Sequence, residues 1–177
     1  MRILPAPLAA AFAAPLAALA LAAALPGAAQ AQTPPPAAVN GVSVVDARAW
    51  LSGMGGTVGE PSVSDGLTTL TVADQPLPWN LTFYGCGPTL CDDIQYSAVF
   101  TGPITADQIN AWNRDNRFLK AFLFPGEAGA DATAVVQYDV VLTGPGSEHL
   151  REPTVIWLQL LQAFAQGLAA AVGPTTP

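Results

Sequence analysis

The chain has 177 residues, with six Lys or Arg against 13 Asp or Glu and a formal net charge of −7. So few scattered cations on an acidic chain make no electrostatic footprint for a phosphate backbone, which argues against nucleic acid and anionic lipid as partners.

Residues 1–31 read as a secretory leader rather than as structure. Arg2 supplies a thin positive start, and the ten apolar residues 16–25, LAALALAAAL, lie between Pro15 and Pro26. That run is shorter than the ~20 residues a membrane span needs and suits the apolar region of a signal peptide. Ala29-Gln30-Ala31 offers the small-x-small cleavage site, with Gln32 as the new N-terminus and no cysteine there to carry lipid. An uncleaved anchor is the rival, disfavoured by prolines at 5, 7 and 15. The expected location is periplasmic or secreted, with no membrane contact after cleavage. What remains is 146 residues of net charge −8, one domain's worth.

Residues 32–40, QTPPPAAVN, form a Pro/Ala linker, and the domain is expected over 41–172. Ser43 followed by Asp46 opens a helix that places Ala47, Trp50, Leu51 and Met54 on one face, stopped by Gly53, Gly55 and Gly56. Residues 57–63, interrupted by Gly59 and Pro61, make a doubtful strand that belongs at an edge. Asp65-Gly66 signals a type I′ hairpin, followed by a strand over 67–72, a turn over 74–78 and a strand over 79–84 that alternates Trp79, Leu81, Phe83 against Asn80, Thr82, Tyr84. Asn80-Leu81-Thr82 matches a glycosylation sequon, an accidental one inside a strand. Residues 93–100 alternate Ile94, Tyr96, Ala98, Phe100 against Asp93, Gln95, Ser97, Val99.

Thr105 and Gln108 fit a capping box for a helix over 106–116 that buries Ile109 and Trp112. Strands over 118–124 and 134–142 pair around a loop with Gly126 and Gly129. The last helix starts either at Ser147, capped by it and bent at Pro153, or at Pro153 as its first-turn proline. Trp157, Leu161 and Phe164 belong to a surface that leaves only a narrow polar stripe at Gln159, Gln162 and Gln166. Such a helix is either central, lying across the sheet, or an interface for a second copy or a partner. Residues 173–177 are a tail. The order is α-β-β-β-α-β-β-α: an α+β fold with an antiparallel sheet of about five strands and helices before, within and after it.

Cys86 and Cys91, the only cysteines, sit at the tip between two strands in a chain bound for an oxidising compartment, and a structural disulfide is the expected state. Thiol exchange is the enzymatic alternative, but redox pairs normally leave two residues between the cysteines at a helix start. Zinc would need a ligand beyond two thiolates and the single His149. No Gly-x-Ser-x-Gly, His-Glu-x-x-His or glycine-rich phosphate loop accompanies His149, which stands between Glu148 and Arg151 as a solvated side chain. Adjacent Asp92 and Asp93 point to opposite sides and read as turn residues. Neither catalytic residues nor a cofactor are expected. Asn110, Asn113 and Asn116 recur every third residue beside Trp112, either anchoring the following loop and ending the helix or offering a polar face to a peptide or, less readily, a sugar.

The segments FYGC, LCDDIQYSAVF and INAWNRDNRFLKAFL together resemble the YbjN family, bacterial proteins assigned to sensory-transduction regulation. The resemblance spans roughly residues 42–168 and implies a fold like that of type III secretion chaperones. It implies no reaction and no catalytic residue. Chaperone-like members of that fold work through protein contacts and commonly dimerise, so a protein partner or a homodimer is expected. A small-ligand-binding periplasmic domain is a further alternative.

Overall fold

The computed structural model describes residues 39–172 except 75, 128 and 129, with only the backbone of 171 and 172. The expected leader, all of the linker but its last two residues, and the tail lie outside these. Ser43 is extended and its hydroxyl accepts from the Asp46 N–H, opening α1 (Val44–Gly53), which buries Ala47 and Leu51. Met54 departs from the expected face: it is the residue that ends the helix, and its side chain is exposed.

Six strands form one antiparallel sheet, against about five expected: β1 (Ser62–Ser64), β2 (Leu67–Val72), β3 (Trp79–Cys86), β4 (Cys91–Gly102), β5 (Lys120–Phe124) and β6 (Ala132–Val141), in the order β1-β2-β3-β4-β6-β5. The extra strand is the interrupted stretch. Val58 bridges Val72 and Ser62 pairs with Thr69, so the segment between them slips by one residue at Gly59 to Pro61 and lies at the sheet edge as a bulged strand. Asp65 and Gly66 both have positive φ, 52° and 79°, as the hairpin requires.

Between β4 and β5 the capping box forms as expected. Thr105 accepts from the Gln108 N–H while the Gln108 side chain accepts from the Thr105 N–H at 2.7 Å, opening α2 (Ala106–Asp115). After β6 the chain enters a short 3-10 helix (Ser147–Leu150) and then α3 (Arg151–Val172). Neither expected start for the last helix holds. Gly146, with φ of 86°, precedes the 3-10 turn, and Ser147 makes no cap bond. Pro153 is the third residue of α3, where its missing N–H would have had no partner inside the helix.

The apolar alternation turns one face of the sheet toward the helices. Leu70, Val72, Trp79, Leu81, Phe83, Ile94, Tyr96, Ala98, Ala134 and Val136 are buried there with Ile109 of α2 and Leu150. Trp157 of α3 sits between Trp79 and Tyr96, its ring centroid 6.2 and 5.7 Å from theirs, and Phe164 stands edge-on to Phe100 and Trp112 at 5.1 and 5.0 Å. Burying rings of this size stabilises by roughly 1.5–3 kcal/mol each.

Candidate functional site

The face opposite the helices carries the other half of the alternation and stays uncovered among the described residues. Its middle is polar and internally bonded. Thr69 and Thr82 share a hydrogen bond of 3.0 Å, Gln95 donates to Asp139 at 2.7 Å, and Gln137 donates to Gln95 at 3.1 Å. One corner is apolar. Val99 on β4 is opposite Val135 on β6, which is opposite Phe122 on β5, and Phe124 lies two residues further along β5. Val99, Phe122 and Phe124 are 60%, 49% and 56% exposed.

Of the six side chains expected to form an interaction face, five are occupied within the chain. Trp157, Leu161 and Phe164 are 0%, 0% and 2% exposed: the sheet, not a partner, covers them. Trp112 is half-buried, its indole N–H donating to the Leu119 carbonyl at 3.0 Å. Asn113 donates to the Ala121 carbonyl and accepts from the Ala121 N–H at 2.8 and 2.9 Å, filling one place on the free edge of β5 as a neighbouring strand would. Asn116 donates to the Trp112 carbonyl, and Lys120 donates to the Asn113 and Asn116 carbonyls at the end of α2. The asparagine row is therefore a fastener for the α2–β5 turn. Asn110 is exposed and lines a shallow groove with Ile109 and Phe122 to Phe124.

Cys86 and Cys91 are opposite each other on β3 and β4 and joined by a disulfide. Both thiols are thereby withheld from metal. The pair lies in strands rather than at a helix start, and Cys91 is buried. Its surroundings are a backbone knot: Val42 and Cys91 exchange two hydrogen bonds of 3.0 Å, Gly41 donates to the Gly144 carbonyl, and Leu142 donates to the Asp92 carbonyl at 2.7 Å. Gly41, with φ of 111°, is required there, since a Cβ would stand 2.6 Å from the Cys91 carbonyl oxygen. Asp93 sits in β4, not in a turn, opposite Val141.

His149 is exposed, its ring lying against Gly144, and it lines a cleft of about 690 Å³ between the end of β6 and the start of α3. Phe118, Tyr138, Val140 and Ile156 give the cleft an apolar lining, and Glu148, Arg151 and Glu152 stand at its rim. Arg151 pairs with Glu148 at 2.9 Å. Burial, and after it the negative charge of Glu152, pushes the Tyr138 hydroxyl above its ordinary range. No sequence signal marks this cleft: its lining from Tyr138 to Ile156 is nearly continuous in the chain, but how α3 folds back beside the end of β6, and the approach of Phe118, are set by tertiary packing.

The bare sheet face, the helix-packed opposite face and the disulfide-closed hairpin define a class: a small α+β domain that presents one side of an antiparallel sheet. Residues 48–170 match the family YbjN, described as "putative bacterial sensory transduction regulator", and the chain belongs to that family. Among solved structures, that of YbjN from E. coli, titled a "putative transcription regulator", is similar at 19% identity, with a TM-score of 0.41 over 59% of this chain and 74% of that one. No curated protein matches the sequence.

Proposed function

We propose that this chain is an exported, non-enzymatic interaction module of the regulatory YbjN family, which acts by holding a protein partner or a second copy of itself on the open face of its sheet. The observation that carries the reading is the apolar corner of that face, Val99, Val135, Phe122 and Phe124, set on three neighbouring strands beside the polar middle. Residues 1–31 deliver the chain to the periplasm or beyond, which fits the disulfide.

Expression with the leader and N-terminal sequencing of the exported protein should give Gln32 as the first residue. The exported, oxidised protein is then crosslinked lightly in periplasmic extract and the linked residues are identified by mass spectrometry. Links from β4, β5 and β6 to one recurring protein, or to another copy, support the module and name its face. Scattered, unsaturable links would sink it. A thiol-disulfide enzyme, the rival reading, requires that the stable Cys86→Ser/Cys91→Ser protein lose a measured reductase or isomerase turnover.

A further inference from the structure

The register of β6 leaves the last part of one of its edges without a neighbouring strand. β6 ends at Val141, but β5 pairs with it only from Thr133 to Gln137. Leu142 directs its N–H to Asp92, so the even-numbered residues of this strand turn their backbone groups toward β4 and the odd-numbered ones toward β5. The opposite edge agrees: Ala121 of β5 faces away, to Asn113, so Lys120, Phe122 and Phe124 are the residues that bond Gln137, Val135 and Thr133. The N–H and C=O groups of Asp139 and Val141 therefore point to the β5 side beyond the place where β5 begins. Among the described residues no group bonds to them. Val141 is 68% exposed.

Four backbone groups in line on a strand already paired on its other side are a template for one more strand. A chain laid along this edge continues the line of β5 backward, and alternate side chains of it fall on the helix side, into the cleft floored by Tyr138, Val140, Phe118 and Ile156. Charge selects the occupant. Arg151 is taken by Glu148 and Arg117 lies over the Phe118 ring, which leaves Glu152 at the rim as a carboxylate with no ion pair among the described residues, in a chain whose net charge is −7. We propose that the free edge of β6 at residues 139–141, with the cleft beside it, takes an extended segment of a partner protein in which an apolar side chain is flanked by Lys or Arg. This rests on the reading of the chain as a protein-binding module and gives it a second surface, on the β6 edge rather than the open face.

The probes are the heptapeptide acetyl-TKVFVKT-amide and its counterpart with both lysines replaced by glutamate, titrated into the oxidised chain and followed by NMR. The lysine peptide should saturate, slow the exchange of the Asp139 and Val141 amide hydrogens, and shift the Val140 and Ile156 methyl signals. The glutamate peptide should bind more weakly. E152K, at an exposed position, should weaken the lysine peptide by up to about fivefold and strengthen the glutamate one, as an exposed pair worth ~1 kcal/mol allows. Saturable binding that leaves both amides unprotected, no binding at millimolar peptide, or equal affinity for the two peptides overturns the proposal. Small metabolites that shift the same methyls without protecting the amides would overturn it in favour of a small-ligand cleft. If crosslinks in extract map to Phe122 and Phe124 while the β6 edge stays silent, the module survives and this surface fails; if no recurring partner or copy is linked, the module itself fails.

Discussion

The two faces of the sheet are built from the same strands, residue by residue in alternation, and differ in what holds them. On the helix side the strength is apolar and mutual: Trp157 is enclosed by Trp79 and Tyr96, and the Tyr96 hydroxyl shares a 2.8 Å hydrogen bond with buried Thr154. On the open side it is polar, shallow and solvated, as in the Thr69–Thr82 and Gln95–Asp139 pairs. A stability change made on the first face should be large and one on the second small, whereas binding should respond in the reverse order.

The largest effect is expected from Trp157→Ala, which should cost about 3–5 kcal/mol by combining lost burial with a cavity, measured as a shift in urea midpoint without a change in slope. Next, Cys86→Ser with Cys91→Ser should cost about 2 kcal/mol and lower Tm by roughly 5–10 °C, with the far-UV spectrum unchanged. Tyr96→Phe should cost about 1–2 kcal/mol, because the Thr154 hydroxyl then stays buried without its partner.

The same tyrosine gives the fold a pH limit. Burial pushes the Tyr96 hydroxyl well above its ordinary range, against a smaller opposite pull from the Thr154 hydrogen bond. Its folded pKa exceeds its unfolded one of about 10, so its contribution is complete below about pH 10 and is lost as pH rises above that. Denaturant midpoints should fall above pH 10, and the fall should be shallower in Tyr96→Phe. On the open face, Phe122→Ser with Phe124→Ser should change stability least and reduce crosslinking to the partner or copy most. An equal loss of stability from this pair and from Trp157→Ala would erase the distinction between the faces.

The alternation of β3 and β4, the Asp65-Gly66 turn and the Thr105–Gln108 box were legible because each is decided by residues within a few positions of one another. The bulged β1 was half legible: Gly59 and Pro61 weaken a strand locally, and only its pairing with β2 restores it. Insertion of β6 between β4 and β5 was not legible, since register between strands about forty residues apart leaves no short-range mark. The apolar surface of α3 showed that Trp157, Leu161 and Phe164 need cover but not whose. That the sheet supplies it, and that Asn113 serves a strand edge, are decided by tertiary placement. The bare edge of β6 depends on the unequal lengths of two strands, which no single segment encodes.

The knot at Gly41 and Val42 sets how the domain would carry a mechanical load. Force applied at Val42 from the N-terminal side passes first through its two hydrogen bonds to Cys91 and through the link from Gly41 to Gly144. Those bonds can open one after another. Once they have opened, Cys91 leaves the loaded path, which runs along the backbone from Val42 into α1 and then the β1 edge, while the Cys86–Cys91 bridge keeps the β3–β4 hairpin closed at that end. A pull from the N-terminal side would free the entry segment first and then strip elements in chain order. On reaching Cys86 it would pass straight to Cys91 in the oxidised chain, leaving the turn between them unloaded, and would open that turn only in a reduced chain.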